Sequence, residues 1–131
     1  MLYREVFGEG HPQVAFIMER LAVVYAKRKE FDLARHYADY ALGVMQSSCG
    51  ADSMPAATAL VVRGDIEVIA MAYERAAKEY GQALAIARKL PEGRVTSGTI
   101  MQRYAGILKV IHRGREAKAL MAEAKTFRGK Y

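Results

Sequence analysis

Apolar side chains recur along this chain at helical spacing, in blocks that come in pairs. Over residues 12–28, PQVAFIMERLAVVYAKR, the positions Val14, Ile17, Met18, Leu21, Ala22 and Tyr25 follow an i, i+3, i+4, i+7 pattern and form one stripe of an amphipathic helix. His11-Pro12 marks its start, because proline fits the first helical turn, where its missing N–H is not needed. A second stripe, Ala34, Tyr37, Ala38, Ala41, Leu42 and Met45, runs over 31–47. Only two or three residues separate the blocks, enough for a tight turn between antiparallel neighbours. The pattern predicts a helical hairpin.

Gly50-Ala51-Asp52-Ser53-Met54-Pro55 then punctuates the chain, with Asp52 and Ser53 as candidate N-caps. Helix resumes to about Met71, turns, and continues from Tyr73 to about Leu90 through Ala76, Tyr80, Ala83, Leu84 and Ala87, until Pro91-Glu92-Gly93 breaks it. A third hairpin follows. Its first helix carries Ile100, Met101, Tyr104, Ala105, Leu108 and Ile111, its second Ala117, Leu120, Met121, Ala124 and Phe127, with Gly129 as the expected stop.

The second helices repeat. Phe31, Ala34, Ala41 and Leu42 return as Tyr73, Ala76, Ala83 and Leu84, each displaced by 42 residues. A supersecondary unit recurring at fixed spacing is the signature of a solenoid. Asp32, Glu74 and Glu116 fall early in each second helix, where the partial positive charge of a helix N-terminus favours carboxylates. Ala22, Ala34 and Ala41, with their later equivalents, allow helix axes to approach closely.

Composition sets limits. The 131 residues suffice for one domain rather than two. No apolar run approaches the ~18 residues of a membrane span, and Arg20, Lys27, Arg63 and Arg75 interrupt the best segments. MLYREVFGEG lacks the features of a secretory signal, so the expected location is cytoplasmic. Cys49 stands alone, excludes an internal disulfide and reads as a small packing residue. The net charge of +6 is uneven: residues 84–131 hold eleven Lys/Arg against three Asp/Glu.

These residues resemble tetratricopeptide repeats of the 42-residue kind found in kinesin light chains and many bacterial proteins. The first repeat carries the Leu-Ala-x-x-Tyr of that family at Leu21, Ala22 and Tyr25, followed by Phe31, Ala34, Ala41 and Leu42. The connector Phe7-Gly8-Glu9-Gly10-His11-Pro12-Gln13-Val14-Ala15 is similar to the family's Leu-Gly-x-Asp-His-Pro-x-Val-Ala. The second repeat departs at Gly64 and Glu67. The third fits at a step of 41, placing Ala105 on Gly64, Ala117 on Ala76 and Ala124 on Ala83.

The resemblance implies an all-α, alpha-alpha superhelix: one array over 1–131, with the end of a partial repeat at 1–8 and repeats at 12–48, 53–90 and 96–128. About three helical hairpins would follow a short partial helix. Leu2, Tyr3, Val6 and Phe7 would leave an apolar edge that invites self-association.

Catalytic chemistry is not written here. His11, His36 and His112 are scattered, Gly8-Glu9-Gly10 belongs to the connector, and no nucleophile stands with a base, so no enzyme, cofactor or metal is expected. The methionines fall mainly on apolar stripes and read as core. What the resemblance implies instead is a concave groove lined by the first helix of each repeat. Its family positions map onto Phe16, Glu19, Arg20, Val23 and Lys27 in repeat one, and onto Thr58, Val62, Asp65 and Ile69 in repeat two. In repeat three they map onto Thr99, Gln102, Arg103 and Lys109.

The asparagines that often grip peptide backbone in that family are replaced here by Glu19, Arg20, Val61, Val62, Gln102 and Arg103. Arg20, Lys27, Arg103 and Lys109 remain to meet an acidic side chain or a terminal carboxylate. The resulting expectation is a protein-interaction scaffold binding a partner segment of acidic or mixed character. The alternative is nucleic-acid binding by the basic C-terminal third, a reading that rests on charge alone.

Overall fold

The computed structural model describes residues 11–128, with side chains as far as Thr126. Six α-helices follow one another: α1 (Pro12–Lys27), α2 (Phe31–Cys49), α3 (Met54–Ile69), α4 (Tyr73–Lys89), α5 (Arg94–Val110) and α6 (Gly114–Arg128). A 3-10 turn at Pro91–Gly93 separates α4 from α5. Among the described residues there is no strand, and the helices form an alpha-alpha superhelix. The partial helix expected over 1–8, its apolar edge and the stop at Gly129 lie outside the described residues.

Consecutive helices pack as the hairpins α1/α2, α3/α4 and α5/α6, and the hairpins stack through α2 against α3 and α4 against α5. α1 also meets α3. Alanines make this closeness possible: Ala22, Ala26, Ala34, Ala41, Ala76, Ala83, Ala87 and Ala117 are all fully buried. Val14, Met18, Met45, Leu60, Leu84, Ile100 and Met101 belong to one core that runs through all three hairpins.

Local chemistry fixes the ends. The His11 Nδ1 accepts the Gln13 backbone N–H at 3.0 Å, with Pro12 in the first turn. Ser53 caps α3 by accepting the Ala56 N–H at 3.3 Å, and its hydroxyl donates to the Gly50 carbonyl at 2.7 Å. Asp32, Glu74 and Glu116 do occupy the first turns of α2, α4 and α6. Cys49, expected to pack, is exposed instead, as the last residue of α2.

The three turns inside the hairpins share one geometry. Lys29, Met71 and His112 each adopt a left-handed backbone, with φ of 64°, 61° and 65°. The following N–H of Glu30, Ala72 or Arg113 then bonds back to the carbonyl of Tyr25, Glu67 or Leu108, at 2.9, 2.8 and 2.7 Å. This is a Schellman closure, made without the glycine that usually adopts it. The residues stand 42 and 41 positions apart, so the backbone repeats at the same steps as the sequence.

The step from the second repeat to the third is one residue shorter, and the break falls at Pro91. The residue before a proline is steered out of the helical region. Leu90 is accordingly extended, α4 stops at Lys89, and the chain makes its 3-10 turn. Gly93 closes this turn against α4, where a Cβ would stand 2.1 Å from the Ala87 carbonyl oxygen.

Candidate functional site

The first helices α1, α3 and α5 carry all thirteen groove positions. Phe16, Arg20, Lys27, Thr58, Ile69, Thr99, Arg103 and Lys109 are exposed, and Val23, Val62, Asp65 and Gln102 are half-buried. Glu19 is the exception at 7% exposure. Its Oε1 has no hydrogen-bond partner, and burial pushes its carboxyl up to about 7. A side chain so covered presents little to a ligand.

Among the thirteen, one direct ion pair forms with a described residue. Arg103 Nη1 donates to Asp65 Oδ2 at 2.7 Å, tying α5 to α3, while the Tyr80 hydroxyl donates to Asp65 Oδ1 at 2.5 Å. Burial, then this bond, holds the Tyr80 phenol well above its ordinary range. Asp65 thus receives a cation from one neighbour and a hydroxyl from the other. Arg103 is consequently not a free cation, whereas Arg20 and Lys27 have no carboxylate partner among the described residues. The Thr99 hydroxyl donates back to the Val95 carbonyl of its own helix.

Gly64 explains how Tyr80 fits. Repeat one has Ala22 and Ala38 at the equivalent positions, and repeat two exchanges them for Gly64 and Tyr80. A Cβ on Gly64 would lie 2.6 Å from Tyr80 Cε1. The lost methyl makes room for the ring.

A second polar constellation lies in the crevice between repeats one and two, formed by α2, α3 and α4. Arg35 grips Glu67 in a two-pronged bond, Nε to Oε2 at 3.0 Å and Nη2 to Oε1 at 2.8 Å. Arg63 reaches Glu79 Oε1 and Asp39 Oδ1, each at 3.3 Å. Glu67 and Glu79 are both 8% exposed. Burial raises the Glu79 carboxyl above its ordinary range, with Arg63 opposing and Glu67 adding to the shift. Glu67 already departs from the repeat pattern in sequence, whereas Glu79 falls outside the family positions.

A signal for that crevice was present in the repeat register. Where repeat two has Glu67 and Glu79, repeat one has Tyr25 and Tyr37 and repeat three has Leu108 and Leu120. The two tyrosines stack at 5.5 Å between ring centroids, so the position pair is a packing site in repeat one. Two carboxylates in a register occupied elsewhere by rings and leucines are a departure legible without coordinates.

Three crossing helix pairs joined by tight turns and stacked through small residues define a tetratricopeptide-like helical-repeat fold. Among solved structures, the crystal structure of BtubC (BKLC) from P. vanneervenii matches 98% of this chain with a TM-score of 0.90 and 25% sequence identity. The match covers 52% of BtubC, so the chain spans about half the length of that protein. No protein-family model matches the chain, and no curated sequence does.

Proposed function

We propose that the chain is a protein-interaction scaffold that takes a partner segment along the face of α1, α3 and α5, as a single array with repeats at 12–48, 53–90 and 96–128. The observation that carries this reading is the surface of those first helices. Phe16 at 46% exposure and Ile69 offer apolar contact, and Arg20 and Lys27 stand on the same helices without carboxylate partners among the described residues. Preformed helices leave only the ligand to be ordered on binding. A segment of acidic or mixed character, in the cytoplasm, fits this face. No chemistry is asked of the scaffold.

Photo-crosslinkers placed at Phe16 and Thr99, compared with one at Lys118 on α6, test the groove: a partner captured from the first two sites and not the third supports it. Arg20→Glu with Lys27→Glu then tests the basic grip. Undiminished capture by that variant removes the acidic-partner reading, and capture only from Lys118 removes the groove. Nucleic-acid binding is weakened as a rival because Arg88, Arg103 and Arg113 are already engaged by Glu123, Asp65 and Glu116.

A further inference from the structure

α1 carries an apolar stripe that is left partly open. Ile17, Leu21 and Val24 stand at i, i+4 and i+7, about a quarter turn around the helix from the groove positions Phe16, Arg20, Val23 and Lys27. Repeat register gives Ala59, Arg63 and Ile66 at these places in α3, and Ile100, Tyr104 and Ile107 in α5. Ile66 and Ile107 are 1% and 8% exposed, whereas Val24 is 50% exposed. The contrast follows from stacking: α3 lies on α2 and α5 on α4, and Ile66 shares a cluster with Ala34 and Ala38 of α2. Among the described residues, no second helix stands before α1.

The two stacking contacts inside the chain define what fits this stripe. They differ in chemistry. α2 meets α3 through charge, Arg35 with Glu67 and Asp39 with Arg63. α4 meets α5 through small uncharged residues instead: Ala77 and Gly81 replace Arg35 and Asp39, and a Cβ on Gly81 would lie 3.3 Å from the Tyr104 hydroxyl oxygen. α1 has Tyr25 and Leu21 where α3 has Glu67 and Arg63, so it matches α5, which has Leu108 and Tyr104 there. A charged helix laid on it would lose hydration and gain no partner.

We infer that this side of α1 is a docking surface for a helix of a partner protein, one carrying small uncharged residues where α4 has Ala76, Ala77 and Gly81. The partner helix stacks on repeat one as α4 stacks on α5. It continues the neighbour-to-neighbour contact on which repeat arrays depend. A second copy of this chain does not supply such a helix. Among the described second helices α6 alone keeps its stacking side open, and there the exposed Lys118 and Lys125 replace Ala77 and Leu84. The surface is separate from the proposed groove and does not depend on it.

A peptide of the α4 sequence, Tyr73–Lys89, held helical by a staple across its exposed Lys78 and Gln82 positions, tests this in an amide chemical-shift titration of the full chain. The expected result is a saturable shift centred on Ile17, Leu21 and Val24, with a peptide of residues 31–47, stapled at the equivalent positions, at least about tenfold weaker. Val24→Asp puts a charge on an exposed part of the stripe. It should weaken the α4 peptide at least about tenfold while the circular dichroism of the chain stays that of the parent. Overturning results are the absence of saturation, equal binding of the two peptides, a Val24→Asp variant that binds as well as the parent, or shifts that fall on α5, where the peptide would be displacing the chain's own α4. Shifts at the same three residues on diluting the chain alone would assign the surface to a second copy and overturn the partner reading.

Discussion

Gly64 and Tyr80 stand where repeat one has two alanines, and the exchange predicts a measurable coupling. In Gly64→Ala the new methyl would lie 2.6 Å from Tyr80 Cε1 and 2.8 Å from Cδ1. The ring cannot easily swing away, because Tyr80 is 2% exposed and its hydroxyl is held by Asp65. Overpacking of this kind costs about 1–3 kcal/mol, offset by about 0.5–1 kcal/mol for replacing a helical glycine. A net loss of about 1–2 kcal/mol is expected.

Tyr80→Ala alone should cost about 3–5 kcal/mol, the usual range for emptying a buried aromatic site. With both substitutions the clash cannot occur and the repeat-one pair is restored. The double variant should therefore be more stable than the sum of its parents by about 1–3 kcal/mol. Urea unfolding followed by far-ultraviolet circular dichroism measures all four corners of the cycle. Additivity within about 0.5 kcal/mol would refute the size-exchange account, as would a Gly64→Ala chain that unfolds later than the parent.

Other substitutions probe the remaining features. Glu19 has a folded pKa of about 7 against an ordinary value of 4.5, so its cost is absent below 4.5 and grows as pH rises through 7. Glu19→Gln should match the parent near the lower limit and exceed its stability by up to about 3 kcal/mol above the upper one; parallel stability–pH curves would exclude this. Arg35→Ala strands the Glu67 carboxylate and should cost about 1–3 kcal/mol in urea unfolding, the lower end reflecting Arg35's partial exposure. Replacing all four by the repeat-three residues, Arg35→Ala, Arg63→Tyr, Glu67→Leu and Glu79→Leu, should by contrast be neutral or stabilising, and a loss as large as that of Arg35→Ala alone would contradict it. Gly93→Ala meets a backbone carbonyl that cannot yield, so a loss of about 3 kcal/mol is expected, and a thermal melt unchanged from the parent would sink the steric argument. Glycine at Lys29, Met71 or His112 should add about 0.5–1 kcal/mol each by relieving the left-handed strain, with calorimetry as the check.

Much of the architecture was legible because helix-period apolar stripes and fixed steps survive without coordinates. The 42-residue return of Phe31, Ala34, Ala41 and Leu42 placed the second helices, and His11-Pro12 and Ser53 placed two helix starts. The early start of α5 at Arg94, against 96 expected, was hidden because no side-chain cap marks it; Gly93 acts there through steric closeness. Thirteen groove positions were carried by repeat register alone, and register does not reveal coverage, hence the burial of Glu19. Register also says nothing of pairings between repeats. Arg103 with Asp65 joins residues 38 apart, and Arg35 with Glu67 joins residues 32 apart.

The ties between hairpins are unequal, and that has a mechanical consequence. Arg35–Glu67 joins the first two hairpins with its carboxylate sheltered, while Arg103–Asp65 and Arg88–Glu123 join the last two in the open. Dissolved ions screen exposed pairs and spare sheltered ones. The first two hairpins thus keep one sheltered tie beside the open Arg63–Asp39 pair, whereas both ties of the last coil are open to screening. Raising the ionic strength should slacken that coil first, altering the pitch and the reach of the array at one end while the other keeps its shape.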